Sequence, residues 1–475
     1  MLYTWPGPRE SDVSLEASIR KCGRTSHWGA ALGLLCEGMR AGVQLFAGHY
    51  AATATACSRG GQWQQALSVL GEMWRAKLEP DVIGYNAGIS ACGKGRQWQR
   101  ALSLFRAMAE SKFEPNVVSC NAAVTACEKG GQWQRAVALF CEMWQARLEL
   151  DVISYSAGIT ACEKGVQWQR ALALLSGMRE AKLERDATSC SAGIRACLKG
   201  EQWQQALALL SEMREARLEL NVICCSAGIC ACNQGGQWQG ALALLGELGE
   251  SQLERDVVTY SAVVSACEKG EQWQRALALL QGMREASVEP DTTSYNAGIS
   301  ACGKGKQWQR ATVLLRWMRE TKLEPDAISY NAGISACGKG DEWQQALALL
   351  SEMQAKLEPD VISYNAGISA CEKDEQWQRA LALLGEMRQA ELQPNVISYS
   401  AVTSACEKGE QWQRALMLLS EMSEVTLEPN VISYSAGISA CEKGEQWPRA
   451  LALLSVMREA KVEPNIISST ILLQR

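Results

Sequence analysis

Apolar side chains recur along this chain in two alternating stretches, each with the spacing of one helix face. In residues 361–395, VISYNAGISACEKDEQWQRALALLGEMRQAELQPN, Val361, Tyr364, Ile368 and Cys371 follow one another at steps of three and four. Trp377, Ala380, Leu381, Leu384 and Met387 do the same in the second half. Such steps place side chains on one side of a helix of 3.6 residues per turn. Each half therefore predicts an amphipathic helix. Between the halves most copies of this stretch carry glycine, among them Gly95, Gly165, Gly270, Gly305 and Gly340. That glycine is expected to stop the first helix by tolerating positive φ. A Leu-Glu-Pro segment ends the second helix, because proline disfavours helix in the residue before it. Asp or Asn follows, and either caps the next helix by accepting free backbone N–H groups.

This helix-turn-helix-turn stretch is a repeat. Tryptophan returns from Trp28 and Trp63 to Trp412 and Trp447 at steps of 35 residues, except for 34 between Trp343 and Trp377. A fixed period of this length marks a solenoid, in which neither helix of a repeat buries its apolar stripe until the next repeat stacks on it. The fold class is thus an all-α solenoid of stacked helix-turn-helix repeats. Twelve repeats occupy residues 47–465, beginning at 47, 82, 117, 152, 187, 222, 257, 292, 327, 361, 396 and 431. Residues 1–46 form an N-terminal segment with a worn capping copy at 12–46, in which Leu15, Ile19, Cys22, Trp28 and Leu35 keep apolar slots. Residues 466–475 start a further repeat and stop, so the array is expected to continue. The repeat at 327–360 lacks one residue late in its second helix, which is expected to displace its last residue, Asp360. The tryptophans, set among Ala and Leu, read as core.

Composition narrows the picture further. Net charge is −5, which argues against a polycation, although a local basic row can still exist. Most of the 20 cysteines fall at one slot of the repeat, from Cys57 and Cys92 to Cys441. Stacked helices lie 8–10 Å apart, beyond disulfide reach, so these read as small buried residues. Cys224, Cys225, Cys230 and Cys232 match no zinc spacing, and no metal or other cofactor is expected. No apolar run is long enough to span a membrane. The only histidines, His27 and His49, sit inside repeat sequence and not in an H-x-E motif. With no phosphate-binding loop either, an enzyme is not expected.

The repeat strongly resembles the pentatricopeptide repeat. The 35-residue length, the V-I-S-Y-N opening, the A-C-x-K-G turn, the A-L-x-L-L-x-E-M second helix and the L-E-P-D close carry the match across 47–465. The resemblance implies a right-handed superhelix that binds single-stranded RNA, one base per repeat. It also implies that the fifth and last residues of a repeat contact the base edge. The second residue would pack against base faces, namely Ile83, Val118, Ile153, Ile223, Val258, Ile328, Ile362, Ile397 and Ile432. Lysine at the thirteenth place would lie near phosphates: Lys94, Lys129, Lys164, Lys199, Lys269, Lys304, Lys339, Lys373, Lys408 and Lys443. Lysine near a helix C-terminus is also favourable on its own, through the helix dipole.

The variation between repeats falls where the resemblance would put it. The fifth residue is Asn86, Asn121, Asn296, Asn331 and Asn365 in some repeats. In others it is Ser156, Ser191, Ser226, Ser261, Ser400 and Ser435. The last residue is Asp151, Asp186, Asp256, Asp291, Asp326 and Asp360, or Asn116, Asn221, Asn395, Asn430 and Asn465. Asn offers donor and acceptor, Ser a hydroxyl and Asp acceptors only, a vocabulary suited to base edges. An N-cap alone would also alternate Asp with Asn. By the family's rules the site reads Y-U-G-A-G-G-U-U-Y-A-A from the repeat at 82 to the repeat at 431. The first-place repeat, with Ala51, gives no base.

A protein-binding scaffold of the tetratricopeptide kind is the alternative. It would vary its grooves in size and charge, whereas this chain exchanges Asn for Ser. Family membership implies work on RNA in mitochondria or plastids, in processing, stability, splicing or translation. Any chemistry would come from recruited RNA-processing proteins.

Overall fold

The computed structural model describes residues 11–24, 27–111, 113–146, 148–216, 218, 221–250, 255–460 and 462. Residues 1–10, Asn465 and the segment 466–475 lie outside the described residues. Helices fill the described chain in pairs, from Ser11–Arg24 and Trp28–Arg40 to Val431–Lys443 and Trp447–Glu459, with no strand among the described residues. The repeat at 361–395 forms helices Val361–Lys373 and Trp377–Gln389, as its two apolar stripes predict.

The chain divides into two compact units, Met1–Ala231 and Cys232–Arg475. Each is built in two layers. In the first unit, first helices pack side by side, Ala47–Arg59 on Val82–Lys94 and that helix on Val117–Lys129. In the second, the same contact runs from Val257–Lys269 through Thr292–Lys304 and Ala327–Lys339 to Val431–Lys443. Second helices form the other layer, most of them touching two first helices, as Trp98–Glu110 touches Val82–Lys94 and Val117–Lys129. The core lies between the layers. In the second unit it holds Ile334, Leu350, Tyr364, Ile368, Leu384 and Met387. Each such Leu, Ile or Met contributes roughly 1.5–3 kcal/mol on burial.

The inter-helix glycine does not take positive φ. Gly95 has φ −79° and Gly270 φ −81°, and each sits one residue before the left-handed position. That position is held by Arg96 (φ 55°), Val166 (56°), Glu271 (57°), Lys306 (55°) and Asp341 (59°). Gln97 N–H donates to Cys92 O at 2.8 Å and Arg96 N–H to Gly93 O at 3.2 Å, which is the paired bonding of a Schellman end. Glycine is required for a different reason. A Cβ on Gly270 would lie 2.2 Å from Trp238 Cδ1, and one on Gly95 2.4 Å from Trp63 Cδ1. The glycine makes room for the indole of the preceding repeat.

The tryptophans from Trp63 to Trp412 in the period are half-buried and stand at the margin of the core, with Trp63, Trp308, Trp377 and Trp412 packed against its buried residues. In most repeats one edge of the ring rests on the next repeat's glycine, as Trp273 does on Gly305; after Trp343 that place is held by Asp374. In six repeats an arginine of the next second helix covers the ring face, from Arg414 over Trp377 at 4.1 Å to Arg100 over Trp63 at 5.3 Å. The tryptophan period is thus the period of a joint between repeats.

The missing residue at 327–360 does not displace Asp360. The second helix runs Trp343–Lys356, one residue longer than its neighbours, and Leu357 follows directly in extended conformation. Elsewhere two residues stand there, such as Thr321 and left-handed Lys322. The deletion removes a turn residue and Asp360 still caps its helix, through Ser363 N–H at 2.8 Å.

The cysteine row is buried and unbridged. Burial pushes the thiols of Cys92, Cys127, Cys162, Cys197, Cys267, Cys302, Cys337, Cys371 and Cys406 up to about 11, so they stay protonated and inert. Among the described residues no helix is long and apolar enough to cross a membrane, and no three potential metal ligands gather.

Candidate nucleic-acid interface

The last residue of each repeat enters the next first helix as its N-cap. Asp151 Oδ1 accepts from Ser154 N–H at 2.8 Å, Asn116 Oδ1 from Ser119 N–H at 2.9 Å, and Asn395 Oδ1 from Ser398 N–H at 3.0 Å. Asp186, Asn221, Asp256, Asp291, Asp326 and Asn430 do the same, as does Asp81 before the readable repeats. Asp and Asn cap alike because both use Oδ1. What differs is the atom left over, an acceptor on Asp and an N–H donor on Asn.

The fifth residue meets this cap across a gap of about thirty residues. Asn121 Nδ2 donates to Asp151 Oδ1 at 3.1 Å, Asn296 Nδ2 to Asp326 Oδ1 at 3.3 Å, and Asn331 Nδ2 to Asp360 Oδ1 at 3.4 Å. Asn365 donates to Asn395 Oδ1 at 3.4 Å, Ser261 to Asp291 Oδ1 at 3.1 Å, and Ser400 to Asn430 Oδ1 at 3.4 Å. The side-by-side packing of first helices produces these pairs. Ser226 and Asp256 fall in different compact units, and Asn465, the partner expected for Ser435, lies outside the described residues.

Several fifth residues keep a buried polar atom without a protein partner. These are Oδ1 of Asn86, Asn121, Asn331 and Asn365, and Oγ of Ser156 and Ser435. Buried polar atoms are almost always paired in folded proteins, so their concentration at one slot of the repeat calls for an explanation. One turn earlier on the same helix face stands the second residue. All nine Ile and Val side chains expected there are exposed, from 51% for Ile223 to 66% for Val258. An apolar row held out of the core beside unpaired acceptors has the makings of a stacking surface beside a polar edge.

A third residue belongs to this cluster and was not singled out from the sequence. Position three of the following repeat contacts both others. The Ser329 hydroxyl lies 2.8 Å from Asp326 Oδ1 and 2.6 Å from Asn296 Oδ1. Ser294 Oγ lies 2.7 Å from Ser261 Oγ, and Ser433 Oγ 2.7 Å from Ser400 Oγ. In one repeat Cys224 takes the place, 2.8 Å from Ser191 Oγ. The recurring Ser of V-I-S-Y was the available signal. Asp291 is further distinguished by Thr293, whose hydroxyl donates to its otherwise open Oδ2 at 2.6 Å.

Burial would raise the carboxyls of Asp151, Asp291, Asp326 and Asp360, but hydrogen bonds to their charged forms outweigh it and hold them below the ordinary value. A depressed folded-state pKa stabilises the fold above the unfolded value, near 3.9, and that stabilisation is lost as pH falls through the folded value. Thermal stability is expected to be flat in this respect from pH 7 to about 5 and to fall below about 4. Replacing these four aspartates with Asn should blunt the acid-side loss in a pH series of melting curves. An unchanged acid limb would show that other carboxylates govern it.

The lysine row is in register and, apart from half-buried Lys408, exposed, but most members are occupied. Lys164 Nζ pairs with Glu128 Oε1 at 2.7 Å, and Lys304 with Glu268 Oε1 at 3.2 Å. Lys408 pairs with Glu372 at 3.4 Å, and Lys443 with Glu407 at 3.3 Å. Lys199 shares Glu163 with Arg195. Lys94 and Lys269 donate to Ser58 O at 2.8 Å and Asn233 O at 2.9 Å, at the C-terminal ends of preceding first helices. Lys129, Lys339 and Lys373 form no such bond.

Sequence comparison agrees with this architecture. The PPR repeat family model matches residues 80–129, 255–304, 290–339 and 359–408. The pentatricopeptide repeat domain model matches 34–95 and 417–474, and the PPR repeat model 118–148, 190–218, 328–356 and 397–425. Together these matches span most of the chain, which belongs to the pentatricopeptide repeat family. No curated protein matches the sequence. Among solved structures, the pentatricopeptide repeat protein PPR10 from maize is 18% identical, covering 98% of this chain and 76% of its own, with a TM-score of 0.47. PPR10 in complex with an 18-nt psaJ RNA element is 19% identical, covering 97% and 82%, with a TM-score of 0.36. The PPR domain of Arabidopsis thaliana protein-only RNase P 1 in complex with tRNA is 14% identical, covering 37% and 93%, with a TM-score of 0.34.

Proposed function

We propose that this protein binds single-stranded RNA in a sequence-dependent way, one base per repeat, without catalysis of its own. The observation that carries the reading is the pairing of fifth and last residues around polar atoms that no protein group satisfies. Capping through Oδ1 leaves Asp an acceptor and Asn a donor. Uracil and guanine present a ring N–H on the Watson–Crick edge, whereas adenine and cytosine present a bare ring nitrogen. Asp therefore suits the first two and Asn the others. The fifth residue then separates large from small bases, Ser leaving more room than Asn. The exposed Ile and Val side chains cover the base faces. Family membership makes single-stranded RNA the natural ligand.

The resulting site is YUGAGGUUYAA. In a gel-shift comparison this 11-mer is expected to bind at least tenfold more tightly than a shuffled sequence of the same composition, one good base contact being worth about 1–3 kcal/mol. Equal affinity for the two would sink sequence-dependent reading. A mitochondrial or plastid transcript is the expected target, with processing enzymes recruited where cleavage or editing is needed.

A further inference from the structure

We propose that the twelfth residue of each repeat decides whether the lysine of the next repeat is available to an RNA phosphate. The proposal rests on the RNA-binding reading. Glu stands at the twelfth position of six repeats; the last, Glu442, has no lysine of the row after it, and the others are Glu128, Glu163, Glu268, Glu372 and Glu407. Each of these five carboxylates pairs with the lysine of the following repeat, namely Lys164, Lys199, Lys304, Lys408 and Lys443. Three repeats place glycine there instead: Gly93, Gly303 and Gly338. The lysines that follow them, Lys129, Lys339 and Lys373, are the exposed and unpaired members of the row. Free and paired lysines are thus sorted by a residue one place earlier in the preceding repeat.

Charge arithmetic gives the sorting its consequence. A Glu–Lys pair carries no net charge, so a phosphate passing it releases few condensed counterions. An unpaired lysine carries one full charge and neutralises one phosphate. In the compact unit Met1–Ala231, Lys129 and Arg59 are close enough to Lys94 for their charges to act on it. Partial desolvation lowers the pKa of the Lys94 ammonium, and the charges of Lys129 and Arg59 lower it further. In the unit Cys232–Arg475, Lys339 and Lys373 are consecutive members of the row. The repeats at 152 and at 396–431 carry paired lysines. Electrostatic grip from free ammonium groups therefore falls on the repeats reading bases two, eight and nine. Lys94 and Lys269 keep their charge but are tied to the carbonyls of Ser58 and Asn233, and repeats with Glu-paired lysines hold RNA through base contacts.

The test is the salt dependence of equilibrium binding to the 11-mer, read by fluorescence anisotropy, with melting curves confirming that each variant folds. Lys339→Gln and Lys373→Gln are each expected to flatten the slope of log K against log salt by about 0.7, the single-strand value per phosphate. The charge-neutral double variant Glu372→Gln with Lys408→Gln should leave the slope unchanged. Glu372→Gln alone, which frees Lys408, should steepen it by about 0.7. Binding that persists with the same slope loss in the double variant as in Lys373→Gln overturns the proposal and leaves the RNA reading standing. Failure of the unaltered protein to bind any single-stranded RNA overturns both.

Discussion

Asp326→Asn is expected to move the preference at the seventh base from uracil toward cytosine while leaving the fold intact. Asp326 caps helix Ala327–Lys339 through Oδ1 and accepts there from Asn296, the fifth residue of the same repeat. Asn keeps the cap, as Asn395 shows by capping its own helix at 3.0 Å. The unused atom changes from acceptor to donor. A base that presents a ring N–H then meets another N–H, and a base with a bare nitrogen gains a partner. The shift in discrimination should be about 1–3 kcal/mol, or from fivefold to more than a hundredfold, using the scale of a good base contact. Melting temperature should hardly move, since Asp and Asn cap about equally well. Competition between 11-mers with U or C at position seven measures the first quantity and a thermal melt the second. A lowered melting temperature with an unaltered base preference would make Asp326 a cap and nothing more.

Gly270→Ala should destabilise its compact unit by roughly 1–3 kcal/mol, the usual cost of overpacking. The added Cβ would stand 2.2 Å from Trp238 Cδ1, and the backbone there has no need of glycine on its own account at φ −81°. Because repeats are stabilised chiefly by their neighbours, the lesion lies at the joint itself. Calorimetry should show a lower and broader transition. Adding Trp238→Ala should recover part of the Gly270→Ala loss, a coupling that a double-mutant cycle isolates. Gly246→Ala is the matched control, for it lies in open space within helix Trp238–Glu250 and should gain up to about 1 kcal/mol. If the Gly270 loss is the same with or without the indole, helix geometry and not the joint is responsible.

Both results bear on what could be read from residue order. The apolar steps at Val361, Tyr364, Ile368 and Cys371 predicted a helix, and a helix stands at Val361–Lys373. The Asp or Asn after Leu-Glu-Pro predicted a cap, and each described one caps. These are local facts, settled by side-chain periodicity and by hydrogen bonds three residues apart. The inter-helix glycine was misread because its constraint is not local. Positive φ is the common reason for glycine at a helix end, but here the obstacle is an indole 32 residues earlier. The tryptophans read as core do pack against it, but their second role at the seam between repeats was invisible for the matching reason, since in sequence they only lie among Ala and Leu. The 34-residue repeat looked like a slip of register because counting residues cannot say whether a helix or a turn absorbs a deletion.

By itself, then, the amino-acid sequence determined the period, the helices, their caps and the slots at which repeats differ, because each depends on residues within a turn or two of one another. Only the tertiary structure decided which slots meet. It set Asn296 against Asp326 and Ser329, exposed the Ile and Val row, and matched Glu372 to Lys408 while leaving Lys373 unpaired. These contacts join residues about 30 to 36 positions apart. Their distances depend on how one first helix is placed against the next, and that placement is fixed by packing across the joint between repeats.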